Sequence, residues 1–157
     1  IKLNISNWRR PAPNTIPWDT KAAGLYMICT LSKHEAEKQG YTDSLMLDHE
    51  GHVAEATGAN VFFKDRDGKL HTPIPDSFLD GITRRTIIEI AKSKNIEVIE
   101  RKIKPDELSN FVGCFLTGTA AEVTPVSQID KFNFKVCKTI IGLSDGYQEI
   151  VRKRKAA

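Results

Sequence analysis

The sequence predicts one mixed α+β domain, built from antiparallel hairpins and a mixed sheet with flanking helices. Three observations carry this expectation. At 157 residues, 40% hydrophobic and 27% charged, the chain has the size and composition of a single domain with a real core. Two tight-turn signals, His49-Glu50-Gly51 and Asp65-Arg66-Asp67-Gly68, each lie between short apolar runs suited to strands. Separate stretches elsewhere carry apolar residues at helical spacing.

Taken in order, Ile1-Lys2-Leu3-Asn4-Ile5 alternates as a strand, and the prolines of Trp8-Arg9-Arg10-Pro11-Ala12-Pro13-Asn14 suit an ordered loop. A helix is expected from about Asp19 to Lys38, with Ala22, Leu25, Tyr26, Cys29 and Ala36 on its inner stripe and Gln39-Gly40 as its stop. Residues 44–48 and 52–55 form a first hairpin, and residues 60–63 and 69–72 a second. Asp80-Gly81-Ile82-Thr83 leads into a helix from Arg84 to Ser93 that buries Ile87, Ile88, Ile90 and Ala91. Residues 96–100 alternate as a strand, and residues 104–108 read as a short helix with proline in its first turn. Strands at 111–116 and 122–129 and a helix at 138–154 complete the chain.

The net charge of +3 is interspersed, with one basic run, Arg152-Lys153-Arg154-Lys155, read as a solvated helix end, so no nucleic-acid partner is expected. Cys29, Cys114 and Cys137 are odd in number and outside any CxxC pattern, which argues against zinc or a disulfide framework and for the cytoplasm. No stretch has the length of a membrane span, so no membrane partner is expected either. The histidines at 34, 49, 52 and 71 are expected at the solvent or in turns, not on a metal. The arginines at 9, 10, 84 and 85 are expected in surface or interdomain ion pairs.

P-loop, GxGxxG, HExxH and GxSxG motifs do not occur. Two glycine turns follow strands and could wrap backbone N–H groups around an anion: Gly81-Ile82-Thr83 at a helix start and Gly118-Thr119-Ala120 after Phe115-Leu116. Each is weak alone. Together with Lys21 and Glu55 they fall in an order and spacing that carries more: E-A-T-G-A-N-V-F from Glu55, L-H-T at residues 70–72 and L-D-G-I-T-R from Leu79 to Arg84. Outside that block stand R-P-A-P-N-T-I-P from Arg10, K-A-A-G-L-Y from Lys21 and T-G-T-A-A-E-V-T-P-V from Thr117. From Trp8 to Ile129 the chain resembles the class IV pyridoxal-phosphate aminotransferases, and the branched-chain amino acid subgroup in particular.

The resemblance implies the large C-terminal domain of the D-amino acid aminotransferase-like fold, spanning residues 1–157, with pyridoxal 5'-phosphate as cofactor. It implies that Lys21 forms the Schiff base with the cofactor and serves as catalytic base, an assignment that suits an amine whose pKa its surroundings lower. Glu55 would keep the pyridinium nitrogen protonated, and Tyr26 would hydrogen-bond the phenolic oxygen. Leu79 also falls at the cofactor. The N–H groups of Ile82 and Thr83, with the hydroxyl of Thr119, would hold the phosphate, and Gly118, Thr119 and Ala120 the substrate carboxylate. Asn60 is given a supporting structural role.

The implied reaction transfers the amino group between leucine, isoleucine or valine and 2-oxoglutarate. The alternatives are a non-catalytic fragment that retains the fold, or the D-amino acid transaminase and aminodeoxychorismate lyase chemistries of the same class. Ala59 and Asp80 stand where many relatives carry Glu and Pro, which puts no catalytic role in doubt. The N-terminal small domain of such enzymes is expected to be absent from this chain, with supply in trans as the route by which it would be completed. Self-association into a homo-oligomer is expected.

Overall fold

The computed structural model describes residues 1–152; Lys153, Arg154 and Lys155 of the basic run, and the end of the helix expected there, lie outside the described residues. Ten strands and three helices follow one another along the chain. They are β1 (Lys2–Arg9), α1 (Met27–Lys38), β2 (Asp43–Leu47), β3 (Val53–Ala56), β4 (Asn60–Lys64), β5 (Leu70–Thr72), α2 (Ile82–Ser93), β6 (Val98–Glu100), β7 (Gly113–Gly118), β8 (Glu122–Val126), β9 (Gln128–Ile129), β10 (Phe132–Asn133) and α3 (Lys138–Arg152). The strands form two five-stranded sheets, ordered β10-β9-β1-β2-β3 and β6-β5-β4-β7-β8. Both hairpins expected from their turns form, β2 with β3 and β4 with β5. Parallel pairs occur where a helix intervenes: α1 between β1 and β2, α2 between β5 and β6.

Strand alternation explains the layering. On β4, Val61 and Phe63 enter one apolar cluster with Leu3, Leu45, Cys114 and Leu116 from both sheets, while Phe62 enters a second with Phe115, Ile87, Ile140, Leu143 and Tyr147. The second sheet is therefore buried on both faces, against the first sheet and against α2 and α3. Phe62 and Phe115 stack at 5.0 Å on that helix side. On the outer face of the first sheet the contact with α1 is small and polar: Ser32 Oγ lies 2.7 Å from Ser6 Oγ, and Ser44 Oγ donates to the Ser32 carbonyl at 3.0 Å.

Several expectations need correction. The helix expected from Asp19 starts late, as a 3-10 turn at Ala23–Tyr26 followed by α1. Ala22 is extended (φ −93°, ψ 140°) and Gly24 weakens helix propagation beside it, so Lys21 stands on a loop and shares no helix face with Tyr26. β1 runs through Trp8 and Arg9, because the chain-breaking prolines begin only at Pro11. The single strand expected at 122–129 divides at Ser127, β8 joining the second sheet and β9 the first. Residues 105–110 form a 3-10 turn. His71 is buried, with Nε2 2.9 Å from Asp65 Oδ2 and Nδ1 accepting from Arg101 Nε at 3.1 Å. Arg10 and Arg84 are also buried, since each has carboxylates and carbonyls around it that replace water.

Candidate cofactor site

Glu55 lies on β3 opposite Met46, buried near the junction where the chain passes from one sheet to the other. A buried carboxylate needs a counterion and donors. Arg10, just after β1, supplies the first: its Nε is 3.5 Å from Glu55 Oε1. The same guanidinium donates to the carbonyls of Ser77 at 3.4 Å and Leu25 at 3.2 Å, and lies 3.3 Å from Cys29 Sγ. Burial pushes the Glu55 carboxyl up to about 8, against the pull of Arg10. The Tyr26 hydroxyl is also raised, by partial burial first and then by the charge of Glu55, which places it in that carboxylate's field.

Asn60, the first residue of β4, supplies the donor. Its Nδ2 reaches Glu55 Oε2 at 3.4 Å and the Leu79 carbonyl at 2.9 Å, while its Oδ1 accepts from Gly81 N at 3.1 Å. One side chain thus ties the carboxylate to the start of α2. Gly81 is required there: a Cβ would stand 2.4 Å from Asn60 Oδ1. As N-cap of α2 it offers no side-chain acceptor, so the N–H groups of the first turn, Ile82 and Thr83, keep their capacity for an anion.

Thr117 pairs with Asn60 in the β4–β7 register, and its buried hydroxyl has no partner among the described residues. Beyond it, a Cβ on Gly118 would lie 3.4 Å from the Gly58 carbonyl, so the 118–121 turn lies close against the loop between β3 and β4.

Of the residues singled out from sequence, hydrogen bonds join Glu55, Asn60 and Leu79 to Gly81 at the start of α2, and Tyr26 follows Leu25, whose carbonyl accepts from Arg10. Gly118 is half-buried, whereas Thr119 and Ala120 are exposed on their turn. Lys21 is exposed on its loop, and no side-chain hydrogen bond or ion pair among the described residues engages it or links it to Glu55. Sequence reasoning left out Thr117 and expected Arg10 in a surface or interdomain ion pair, not buried against Glu55. The available signals were the run of constrained residues that begins at each: R-P-A-P-N for Arg10, T-G-T for Thr117.

The arrangement offers a buried carboxyl group beside a guanidinium, a set of uncapped N–H donors and an accessible primary amine. That donor set agrees with a match along residues 1–129 to the family model described as amino-transferase class IV. The chain belongs to the class IV aminotransferases. It is 47% identical over 156 residues to a probable branched-chain-amino-acid aminotransferase of Rickettsia bellii, covering 97% of this chain and 54% of that protein. To the Escherichia coli branched-chain-amino-acid aminotransferase it is 43% identical, covering 83% of this chain and 42% of that protein. Among solved structures it superposes on the T.th. branched-chain amino acid aminotransferase complexed with N-(5'-phosphopyridoxyl)-L-glutamate, with a TM-score of 0.93 and 38% identity, covering 99% of this chain and 53% of the other. The Thermobaculum terrenum branched-chain amino acid aminotransferase in its PLP form gives 0.92 and 37%, covering 98% and 52%. This class IV chain therefore spans about half the length of the relatives it matches, and its two-sheet α+β architecture is theirs.

Proposed function

We propose that residues 1–157 form the cofactor-binding large domain of a branched-chain amino acid aminotransferase, which moves an amino group between leucine, isoleucine or valine and 2-oxoglutarate with pyridoxal phosphate as cofactor. The observation that carries the reading is the Asn60 bridge, which holds the buried Glu55 carboxylate and the open N-terminus of α2 in one unit. A cofactor with a basic ring nitrogen at one end and a phosphate at the other matches those two features. The relatives crystallised with phosphopyridoxyl-glutamate and in the PLP form support the choice.

In this reading Glu55 accepts from the ring N–H, with Arg10 opposing the neutralisation that burial favours. Tyr26 donates to the phenolic oxygen, and Leu79 lies against the cofactor. Ile82 N–H, Thr83 N–H and Thr119 Oγ1 hold the phosphate. Bound there, pyridoxal phosphate supplies an electron sink that stabilises negative charge at the Cα of the amino acid. The N–H groups of Gly118, Thr119 and Ala120 receive the substrate α-carboxylate. Lys21 Nζ is the site of covalent cofactor attachment, and as a free amine it takes up the proton that leaves Cα. The exposure of Lys21 calls for a second domain that excludes water from this side.

The remaining parts of the proposal are a cytoplasmic location, in keeping with three free cysteines, and a homo-oligomer; among the described residues no helix is long and apolar enough to cross a membrane. The test is covalent trapping. The protein mixed with pyridoxal phosphate and reduced with borohydride is expected to retain the cofactor on Lys21, and Lys21→Ala to retain none. Equal labelling of the two proteins rejects the assignment. No binding by this chain favours the reading of a domain that keeps the fold without chemistry.

A further inference from the structure

We infer that α3 is a brace that fixes the α2 N-terminus and the 118–122 turn relative to each other, with Tyr147 and Glu122 as its positioning residues. Two contacts at different points on the helix carry this. The Tyr147 hydroxyl lies 3.3 Å from Thr83 Oγ1, both side chains buried, at the second residue of α2. Gln148, the next residue, and Arg152, more than a turn further on, hold the Glu122 carboxylate, Arg152 Nη2 lying 3.1 Å from Oε1 and 3.2 Å from Oε2. Glu122 pairs with Gly118 across the turn and adopts a left-handed φ of 49°, a conformation that a non-glycine residue holds only when its surroundings impose it. The helix comes close enough because Gly146 faces α2: a Cβ there would stand 3.1 Å from Ile90 Cγ2.

α3 lies beyond the stretch matched by the family model, residues 1–129, so the helix side of these contacts falls outside the family pattern, while Thr83, Ile90 and Glu122 fall within it. The inference rests on the reading of those two turns as holders of the cofactor phosphate and the substrate carboxylate. Geometry at such sites tolerates little displacement, so a helix that grips both turns sets the affinity of each.

The experiment compares the affinity of the full-length protein for pyridoxal phosphate with that for pyridoxal, by spectroscopic titration. In the unaltered protein the phosphate is expected to tighten binding; no phosphate-dependent gain would reject the cofactor reading and the brace with it. Given that gain, Tyr147→Phe is expected to lower affinity for pyridoxal phosphate about tenfold, the worth of one buried hydrogen bond, and to leave pyridoxal binding unchanged. Equal losses for both ligands, or none, overturn the brace alone. Gly146→Ala, which pushes α3 off Ile90 and leaves both sets of polar contacts chemically intact, is judged by the same ratio. Glu122→Gln is expected to raise the KM for the amino acid severalfold at constant kcat, and a fall in kcat at constant KM contradicts its role.

Discussion

The two ends of the candidate site are built differently. Around Glu55 the side chains of Arg10 and Asn60 stand at the ends of strands, and each holds two or more segments of the chain at once. Lys21, Thr119 and Ala120 lie on exposed loops. The chain's own packing has fixed the end that needs a low-dielectric setting, because a carboxylate keeps an unusual protonation only where water is excluded. In the proposed reading the Lys21 end is where bonds form and break and must admit a substrate, and an amine on a loop remains accessible to it.

The largest separation between the two ends is expected from Lys21→Ala. Transamination by the full-length protein should fall by about a thousandfold, within the range for loss of a general base, with no change in Tm. A drop in Tm would mean that the loop belongs to the rigid half.

Arg10→Ala should do the opposite, costing about 3–5 kcal/mol in urea unfolding above the folded Glu55 value of about 8, where the buried group is ionised and loses its counterion. The loss should deepen with pH. The folded Glu55 carboxyl stands at about 8 against an ordinary 4.5, so its contribution is greatest below the ordinary value and fades as pH rises through the folded one. Without Arg10 the folded value rises further and the fall extends to higher pH at the same slope, and in Glu55→Gln the slope between those values disappears. Parallel stability curves for the two variants would contradict the pairing.

Gly81→Ala sets a Cβ against Asn60 Oδ1 and should cost about 1–3 kcal/mol of overpacking. It should also weaken pyridoxal phosphate binding in an equilibrium titration. Unchanged stability would detach the Asn60 bridge from the rigid half. The smallest effect is expected from Tyr26→Phe: a loss of activity of about tenfold, the worth of one hydrogen bond, with urea unfolding unaltered.

Both turn-defined hairpins were legible from local chemistry, since Gly51 and Gly68 adopt the positive φ that their turns require. α2 was legible from the helical spacing of Ile87, Ile88, Ile90 and Ala91. The late start of α1 was not: apolar spacing at Ala22 and Leu25 reads as helix, while the extended Ala22 and the Arg10 contact to the Leu25 carbonyl belong to tertiary structure. The switch of sheets at Ser127 was equally hidden, because alternation states which residues share a face and not which sheet a strand joins.

By itself the sequence determined the α+β class, the hairpins, the family to which the chain belongs and the residue types available for chemistry. Turn and helix signals, and motif spacing, are local, and a chain carries them wherever it folds. Tertiary structure alone decided that Arg10 is buried against Glu55, that His71 and Arg84 are internal, that Asn60 joins the carboxylate to α2, and that α3 reaches two turns far from it in sequence. Those outcomes depend on which distant groups replace water around a charge or a hydroxyl, and that replacement exists only once the layers have closed.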